Sequence, residues 1–204
     1  MAESRFDRAA ATWDEHPGRV AMAREIVAAI LAQAPVRAEM TAVDFGTGTG
    51  LIALGLAEHV RQVIGIDSSE GMLSVLKGKL RNADIRNVEI LRLDLEQDPA
   101  PGLRADLVAS AMTLHHLADV PAVLGKLATV LAPGGYIALA DLVTEDGSFH
   151  GDMAGVQHLG FDPAWVAEIL RGLGFEETRG SIAHVIERGE KQYPVFLVSG
   201  RKAG

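Results

Sequence analysis

Apolar residues along this chain follow two alternating rhythms. Short runs of five or six residues, nearly all apolar, are separated by stretches in which apolar positions recur every three or four residues. The first rhythm marks buried strands and the second marks helices with one buried face. Residues 20–34 have the helical period, with Val20, Ala23, Val27, Ile30, Leu31 and Ala34 on one side. Residues 41–45 form a strand, 49–58 a helix and 62–67 a second strand, in which Val63, Ile64 and Ile66 are apolar. Residues 70–80 form a helix whose core face is Met72, Leu73, Leu76 and Leu80. Strands follow at 88–93 and 105–110, then a helix at 120–131 that ends at Pro133-Gly134-Gly135. Proline cannot continue that helix and glycine tolerates the turn. A fifth strand at 136–142, a helix at 162–173 and two strands at 176–188 and 192–201 complete the pattern, the last two as a hairpin around Arg188-Gly189-Glu190.

Strands that alternate with helices predict an α/β fold with a mostly parallel sheet. No repeat, low-complexity tract or long linker divides the chain. The expectation is therefore a single domain over 1–204, with an N-terminal helical part (1–38), a central core (39–142) and a C-terminal loop, helix and hairpin (143–204).

Composition adds limits. The 204 residues are 48% hydrophobic and 23% charged, which suits one globular core. No apolar run approaches the ~20 residues of a membrane helix, so no membrane partner is expected. The first residues are polar and lack a signal-peptide core. The absence of cysteine excludes disulfides and thiolate chemistry. Together these point to the cytoplasm. The net charge of −8, with basic residues scattered among acids, argues against nucleic acid as a partner.

The most specific stretch is Val43-Asp44-Phe45-Gly46-Thr47-Gly48-Thr49-Gly50, a strand, a glycine loop and a helix start. Glycines let the backbone turn sharply and approach a ligand. The spacing is G-x-G-x-G, whereas a dinucleotide fingerprint needs G-x-G-x-x-G, and Leu51 fills its third slot. Asp44, two positions before the first glycine, would repel a pyrophosphate but suit an ammonium or sulfonium. Asp67 ends the second strand, and because either Ser68 or Ser69 can cap the following helix, its carboxylate is expected to be free for a ligand. Asp94-Leu95 follows the third strand. Ser110-Ala111-Met112-Thr113-Leu114-His115-His116-Leu117 follows the fourth.

These motifs, in this order over roughly 44–142, resemble those of the class I S-adenosylmethionine-dependent methyltransferases, of the small-metabolite or ubiquinone-biosynthesis type. That resemblance implies a Rossmann-like, doubly wound, seven-stranded sheet, mostly parallel with a C-terminal antiparallel hairpin strand. It implies S-adenosyl-L-methionine as cofactor, S-adenosyl-L-homocysteine as product, and a small-molecule acceptor. Cofactor-binding positions would be Trp13, Asp44, Gly46, Thr47, Gly48, Gly50, Asp67, Ser68, Met72, Asp94, Leu95 and Ser110. Among these, Asp67 matches the acid that holds the ribose, Met72 a residue against adenine, and Asp94 the acceptor of the adenine amino group. Read from the residues alone, Met72 serves equally as core and Asp94 as a solvated turn residue. The segment Phe6-Asp7-Arg8-Ala9-Ala10-Ala11-Thr12-Trp13-Asp14 is similar to a helical lid found ahead of the core in such enzymes.

Methyl transfer by in-line displacement needs approach, orientation and a dry site. A protic acceptor also needs a base, and histidine is the natural one. His115 and His116 are the catalytic candidates, with His115 favoured; hydrogen bonding within the loop is the competing role. The run after the fifth strand carries Asp141, Asp146, His150, Asp152 and His158. His150 and His158 are candidates for the acceptor pocket, with an ordinary surface loop as the alternative. Their spacing matches no metal-ligand motif, so no metal is expected. Two rival classes remain on the sequence: a non-catalytic S-adenosylmethionine-binding regulatory protein, and an NAD(P)-dependent oxidoreductase, against which the glycine spacing and Asp44 both argue. The identity of the acceptor, the methylated atom and the oligomeric state are not encoded in any motif.

Overall fold

A computed structural model describes residues 4–204. It contains a seven-stranded sheet in the order β3-β2-β1-β4-β5-β7-β6. The strands are β1 (Thr41–Phe45), β2 (Gln62–Asp67), β3 (Val88–Arg92), β4 (Ala105–Ala111), β5 (Leu131–Leu142), β6 (Phe175–Arg188) and β7 (Lys191–Lys202). β1 to β5 pair in parallel; β7 runs antiparallel between β5 and β6, closing the expected C-terminal hairpin. The helices are α1 (Arg5–Ala9), α2 (Pro17–Gln33), α3 (Leu51–Ala57), α4 (Glu70–Asn82), α5 (Val120–Val130) and α6 (Pro163–Gly172), with a 3₁₀ turn over Ala10–Glu15 and another over Leu114–His116. The sheet is mostly parallel, as the alternating pattern predicts, and has the Rossmann-like arrangement that the resemblance implies. Among the described residues no helix is long and apolar enough to cross a membrane.

Two cores cover the two faces of the sheet. On one side α2, α3 and α4 contribute Ile26, Val27, Ile30, Ile52, Leu56, Leu76 and Leu80. On the other, α5 and α6 contribute Val120, Val123, Leu124, Leu127, Val166 and Leu170. The pleat of β1 sends Ala42 to the first core, and Val43 and Phe45 to the second. Asp44 therefore shares the face of Ala42, toward α3. The expected core face of α4 is the observed one, with Met72, Leu73, Leu76 and Leu80 all buried. On α2 the buried residues are Ala23, Ile26, Val27 and Ile30, so the stripe is rotated slightly from the expected one. Side-chain carboxylates and hydroxyls start the helices as their sequences suggest. Ser69 accepts from Met72 N–H at α4, Asp119 from Ala122 N–H at α5 and Asp162 from Ala164 N–H at α6.

Two boundaries differ from the sequence reading. The fifth strand begins at Leu131, because Leu131 pairs with Ala105 before a register shift; Pro133-Gly134-Gly135 lies inside the resulting irregularity, with Gly134 at φ 76°. The helical segment expected over 1–38 is in fact two structures. Residues 4–16 lie on α4 and the glycine loop, while α2 packs into the core beside α3 through Val27, whose Cγ2 would meet a Cβ at Gly55 at 2.9 Å.

Candidate functional site

Strand order reverses between β1 and β4, and in an open parallel sheet ligands bind beyond the carboxyl ends of the strands at such a point. Asp44, the glycine loop, Asp67, Ser110 and the Leu114–His116 turn all lie there. A cleft of about 350 Å³, bordered by Gln33, Tyr136 and Arg179, sits at the opposite end of β5 and shares none of these residues.

The glycine loop is tied to β2. Gly46 and Thr47 both donate backbone N–H bonds to Ile66 carbonyl, at 2.8 and 3.0 Å. Gly46 sits at φ 71°, and a Cβ there would fall 2.1 Å from Thr113 Oγ1, so glycine is required on both counts. At Gly48, also left-handed at φ 54°, a Cβ would meet only Met72 Sδ, 3.9 Å away. That leaves a backbone surface which a ligand can approach beside Met72, whose own side chain is buried.

Carboxylates frame the loop. Asp44 is buried and accepts from Thr47 Oγ1 at 2.7 Å; burial pushes its carboxyl up to about 7. Asp67 accepts backbone N–H bonds from Gly48 and Ser69, both at 2.8 Å. Its oxygens are thus partly used by the protein, and the expectation of a carboxylate free of local duty is corrected: Ser69 caps α4 while Asp67 orients the Ser69 amide. A carboxylate has about four acceptor sites, so capacity for two hydroxyls remains. Burial raises its affinity for a proton. Ser110 is fully buried and its Oγ has no hydrogen-bond partner, which makes it the polar atom here that a ligand would satisfy. Met112 adopts φ 55°, uncommon for a side chain of its size, in the loop beside Gly46.

The remaining expected cofactor positions are less central. Ser68 is exposed. Asp94 accepts from Glu96 N–H at 3.0 Å, a turn of its own, while Leu95 is buried against the second core. Trp13 is half-buried with the Arg19 guanidinium 3.8 Å above its ring; Arg19 also donates to Trp13 carbonyl at 3.0 Å.

The residues that hold residues 4–16 in place were not singled out by sequence. Asp7 accepts from Ser69 Oγ at 2.7 Å and Gly71 N–H at 2.8 Å, so it caps α4 from outside. Its other oxygen accepts from Ser4 N–H and Oγ in a capping box. These bonds, Ser69 first and Gly71 next, hold its carboxyl well below the usual range. Asp14 accepts from Thr49 Oγ1 at 2.6 Å and pairs with Lys79, which also reaches Thr49 carbonyl at 2.7 Å. Arg5 donates to Ala154 carbonyl at 2.6 Å, joining this segment to the loop after β5. The F-D and W-D pairs in the sequence were the available signal, since an acid facing a helix start has a partner ready.

The histidines divide. His115 is buried, and its Nδ1 lies 2.7 Å from Oδ1 of Asp141, itself fully buried at the end of β5. His116 lies against His115 with ring centroids 4.0 Å apart and planes tilted by 50°, meets Phe6 edge-on at 5.0 Å, and places Nδ1 2.7 Å from Gly155 carbonyl. Burial, then the neighbouring His115, push it down to about 4. His150 brings its ring to 5.1 Å from His115, and its buried Nε2 has no partner. Burial, then His115 and Arg5, lower its affinity for a proton. His158 does not join them. Its Nε2 is 3.0 Å from Leu117 carbonyl and its ring lies beside Phe161, so its expected place in the acceptor pocket is not supported. Among the described residues no group of three ligands could hold a metal ion.

Residues 43–139 match the family model described as methyltransferase domain. An uncharacterized methyltransferase of Geobacillus kaustophilus is 33% identical over 147 residues, 71% of this chain and 65% of that protein. One from Schizosaccharomyces pombe is 31% identical over 147 residues, 65% of this chain and 52% of that protein. The chain thus spans roughly half to two thirds of the length of these relatives. The crystal structure of an S-adenosylmethionine-dependent methyltransferase from Aquifex aeolicus superposes with a TM-score of 0.64 at 25% identity, over 86% of this chain and 88% of that one.

Proposed function

We propose, from its match to the methyltransferase domain model and its likeness to methyltransferases, that the chain is a class I S-adenosylmethionine-dependent methyltransferase and moves a methyl group from S-adenosyl-L-methionine to a small-molecule acceptor. The observation that carries this reading is the convergence of Asp44, the open glycine backbone at Gly48 and the Asp67 carboxylate at one strand-order reversal. The residues suit the cofactor. Asp67 has acceptor capacity for the ribose hydroxyls, Met72 and Leu95 supply apolar surface for the adenine, and Asp94 can accept from its amino group. Gly46, Thr47, Gly48 and Gly50 give close backbone approach, Asp44 is a buried acid near the sulfonium end whose charged form a bound cation would favour against the burial that raises it, and Ser110 offers an unsatisfied hydroxyl. When bound, the cofactor supplies an activated methyl group; the protein orients it and excludes water. Residues 4–16, with Trp13, act as a cover over that site, and the loop after β5 covers the acceptor side, where His150 contributes. An NAD(P)-dependent reaction is disfavoured by the same glycine spacing and buried acid.

Isothermal titration with S-adenosylmethionine and S-adenosylhomocysteine tests the reading, with NAD and NADP as controls. Micromolar binding of the sulfur nucleosides is expected. Asp67→Ala should weaken it by at least about tenfold, the loss of one charge-assisted hydrogen bond of ~1.5–3 kcal/mol. Binding of a nicotinamide dinucleotide instead would overturn it.

A further inference from the structure

Three arginines gather where the N-terminal segment, the loop after β5 and the β6–β7 hairpin meet. We infer that the acceptor is an organic acid, and that its carboxylate or phosphate group is held between the guanidiniums of Arg19 and Arg188. This rests on the methyltransferase reading above and names the class of molecule that the same site would take.

Each guanidinium lies on an aromatic ring. Arg19 is 3.8 Å from the Trp13 centroid, Arg188 4.1 Å from that of Phe149 and Arg5 5.1 Å from that of Phe6. The rings follow one another past the histidine cluster. Trp13 meets Phe6 at 6.1 Å, Phe6 meets His116 at 5.0 Å, His116 lies 6.4 Å from His150, and His150 meets Phe149 at 4.8 Å. The contacts thus run from Arg19 round to Arg188. The packing of α2 on β6 closes the circuit. Gln33 Nε2 donates to Ser181 Oγ at 2.7 Å, and Glu25 Oε2 lies 2.7 Å from His184 Nδ1, so the two elements run in opposite directions. Continued along both, Arg19 near the start of α2 comes beside Arg188 at the end of β6.

Charge gives the site its sign. The chain carries a net charge of −8, yet among the described residues Arg5, Arg19 and Arg188 form no ion pair. The acids around them are already engaged: Asp14 with Lys79, Glu25 with His184 and Asp146 with Lys191. Burial, then Arg188, lower the affinity of Arg19 for a proton, and Asp14 opposes that shift without cancelling it. Two like charges held together need an anion between them. Both are pre-set for one. Arg19 donates through Nη1 to Trp13 carbonyl and Arg188 through Nη1 to Phe149 carbonyl, which leaves Nε and Nη2 of each for a ligand. Such forks match carboxylate and phosphate oxygens in pairs. Glu145 is the acid on the same loop. Its Oε2 accepts from Phe149 N–H at 3.0 Å, and its charge acts on His150 and Lys191. Its buried Oε1 has no partner and can only accept, so the group that reaches it is a hydroxyl or N–H donor on the same acid.

The test uses the full chain loaded with S-adenosylhomocysteine. It is titrated calorimetrically with benzoate and phenyl phosphate, and with benzamide and benzylammonium as uncharged and cationic controls. At least one acid should bind and neither control should; which acid binds separates a carboxylate from a phosphate. Arg188→Gln and Arg19→Gln should each weaken that binding by at least about tenfold, and Arg188→Lys by less. Affinity for S-adenosylhomocysteine should be unchanged in Arg188→Gln, which separates loss of the anion from misfolding. Tryptophan emission in a Trp165→Phe background reads the site locally, because the one remaining indole, Trp13, lies under Arg19. The acids should shift that emission and benzamide should not. Equal binding of benzamide, acid binding indifferent to both arginine substitutions, or failure of both acids overturns the inference. If the wild type does not bind S-adenosylhomocysteine, the methyltransferase reading falls and the inference with it; if that binding persists and only the acid outcomes fail, the inference alone falls.

Discussion

Replacing Asp7 by alanine should release the N-terminal segment from α4 while leaving the domain folded. The carboxylate accepts two bonds from the start of α4, Ser69 Oγ and Gly71 N–H, and two from Ser4. A cap replaced by alanine costs about 1 kcal/mol, and a negative charge at a helix start contributes ~0.3–1 kcal/mol. The site is half-exposed, so water and screening trim the sum. The result is about 1–2 kcal/mol of docking, or a five- to thirtyfold change in the open population. Hydrogen–deuterium exchange over residues 4–16 should accelerate by that factor. The global unfolding midpoint should barely move, because α1 has no buried residue. Gly71→Ala provides a second route: its Cβ would lie 2.7 Å from Asp7 Cα and 3.1 Å from Asp7 Oδ1, which pushes the segment away while keeping the carboxylate in the chain. The pH dependence has a fixed sign. A carboxyl whose folded pKa is depressed contributes fully above its unfolded value of 3.8 and loses that contribution as pH falls further through the folded value. Unchanged exchange over residues 4–16 in Asp7→Ala would refute the reasoning and assign the docking to Asp14 and Arg5 alone.

Other outcomes follow from the loop. Gly46→Ala should abolish binding of S-adenosylhomocysteine and lower the melting temperature. The left-handed conformation costs ~1–2 kcal/mol, and the clash with Thr113 adds ~1–3 kcal/mol; calorimetry and titration measure both. For Asp44 the sign is opposite to that of Asp7. Its folded pKa is raised to about 7, so its contribution is fully present below pH 3.8 and falls away as pH rises through 7. Urea unfolding at pH 5 and pH 8 should show a loss of stability in the wild type that is smaller in Asp44→Asn, by an amount on the order of a few kcal/mol. Equal pH dependence in the two proteins would sink that account.

The sequence by itself determined the sheet and the glycine loop with its flanking acids. Strand and helix periods are local properties, so every strand was recognisable, and the α4 core face was legible residue by residue. The glycine spacing with Asp44 carries its own mechanism, because a backbone forced to φ 71° against Thr113 admits no other residue. Contacts across the fold decided the rest. Asp7 reads as a polar residue near the start of the chain until it meets the free N–H groups of a helix 62 residues away at Ser69. Asp141 was visible only as one acid among several, and its pairing with His115 depends on β5 lying beside β4. His150 and His158 are alike in sequence, yet one brings an unpartnered nitrogen to the cluster and the other turns to Leu117 carbonyl. The fifth strand started early because Ala105 offered Leu131 a partner, overriding the local stop at Pro133. In each case the deciding hydrogen bond joins residues far apart in sequence, and periodicity, which reports only which face of its own element a residue occupies, holds no information about what that face will meet.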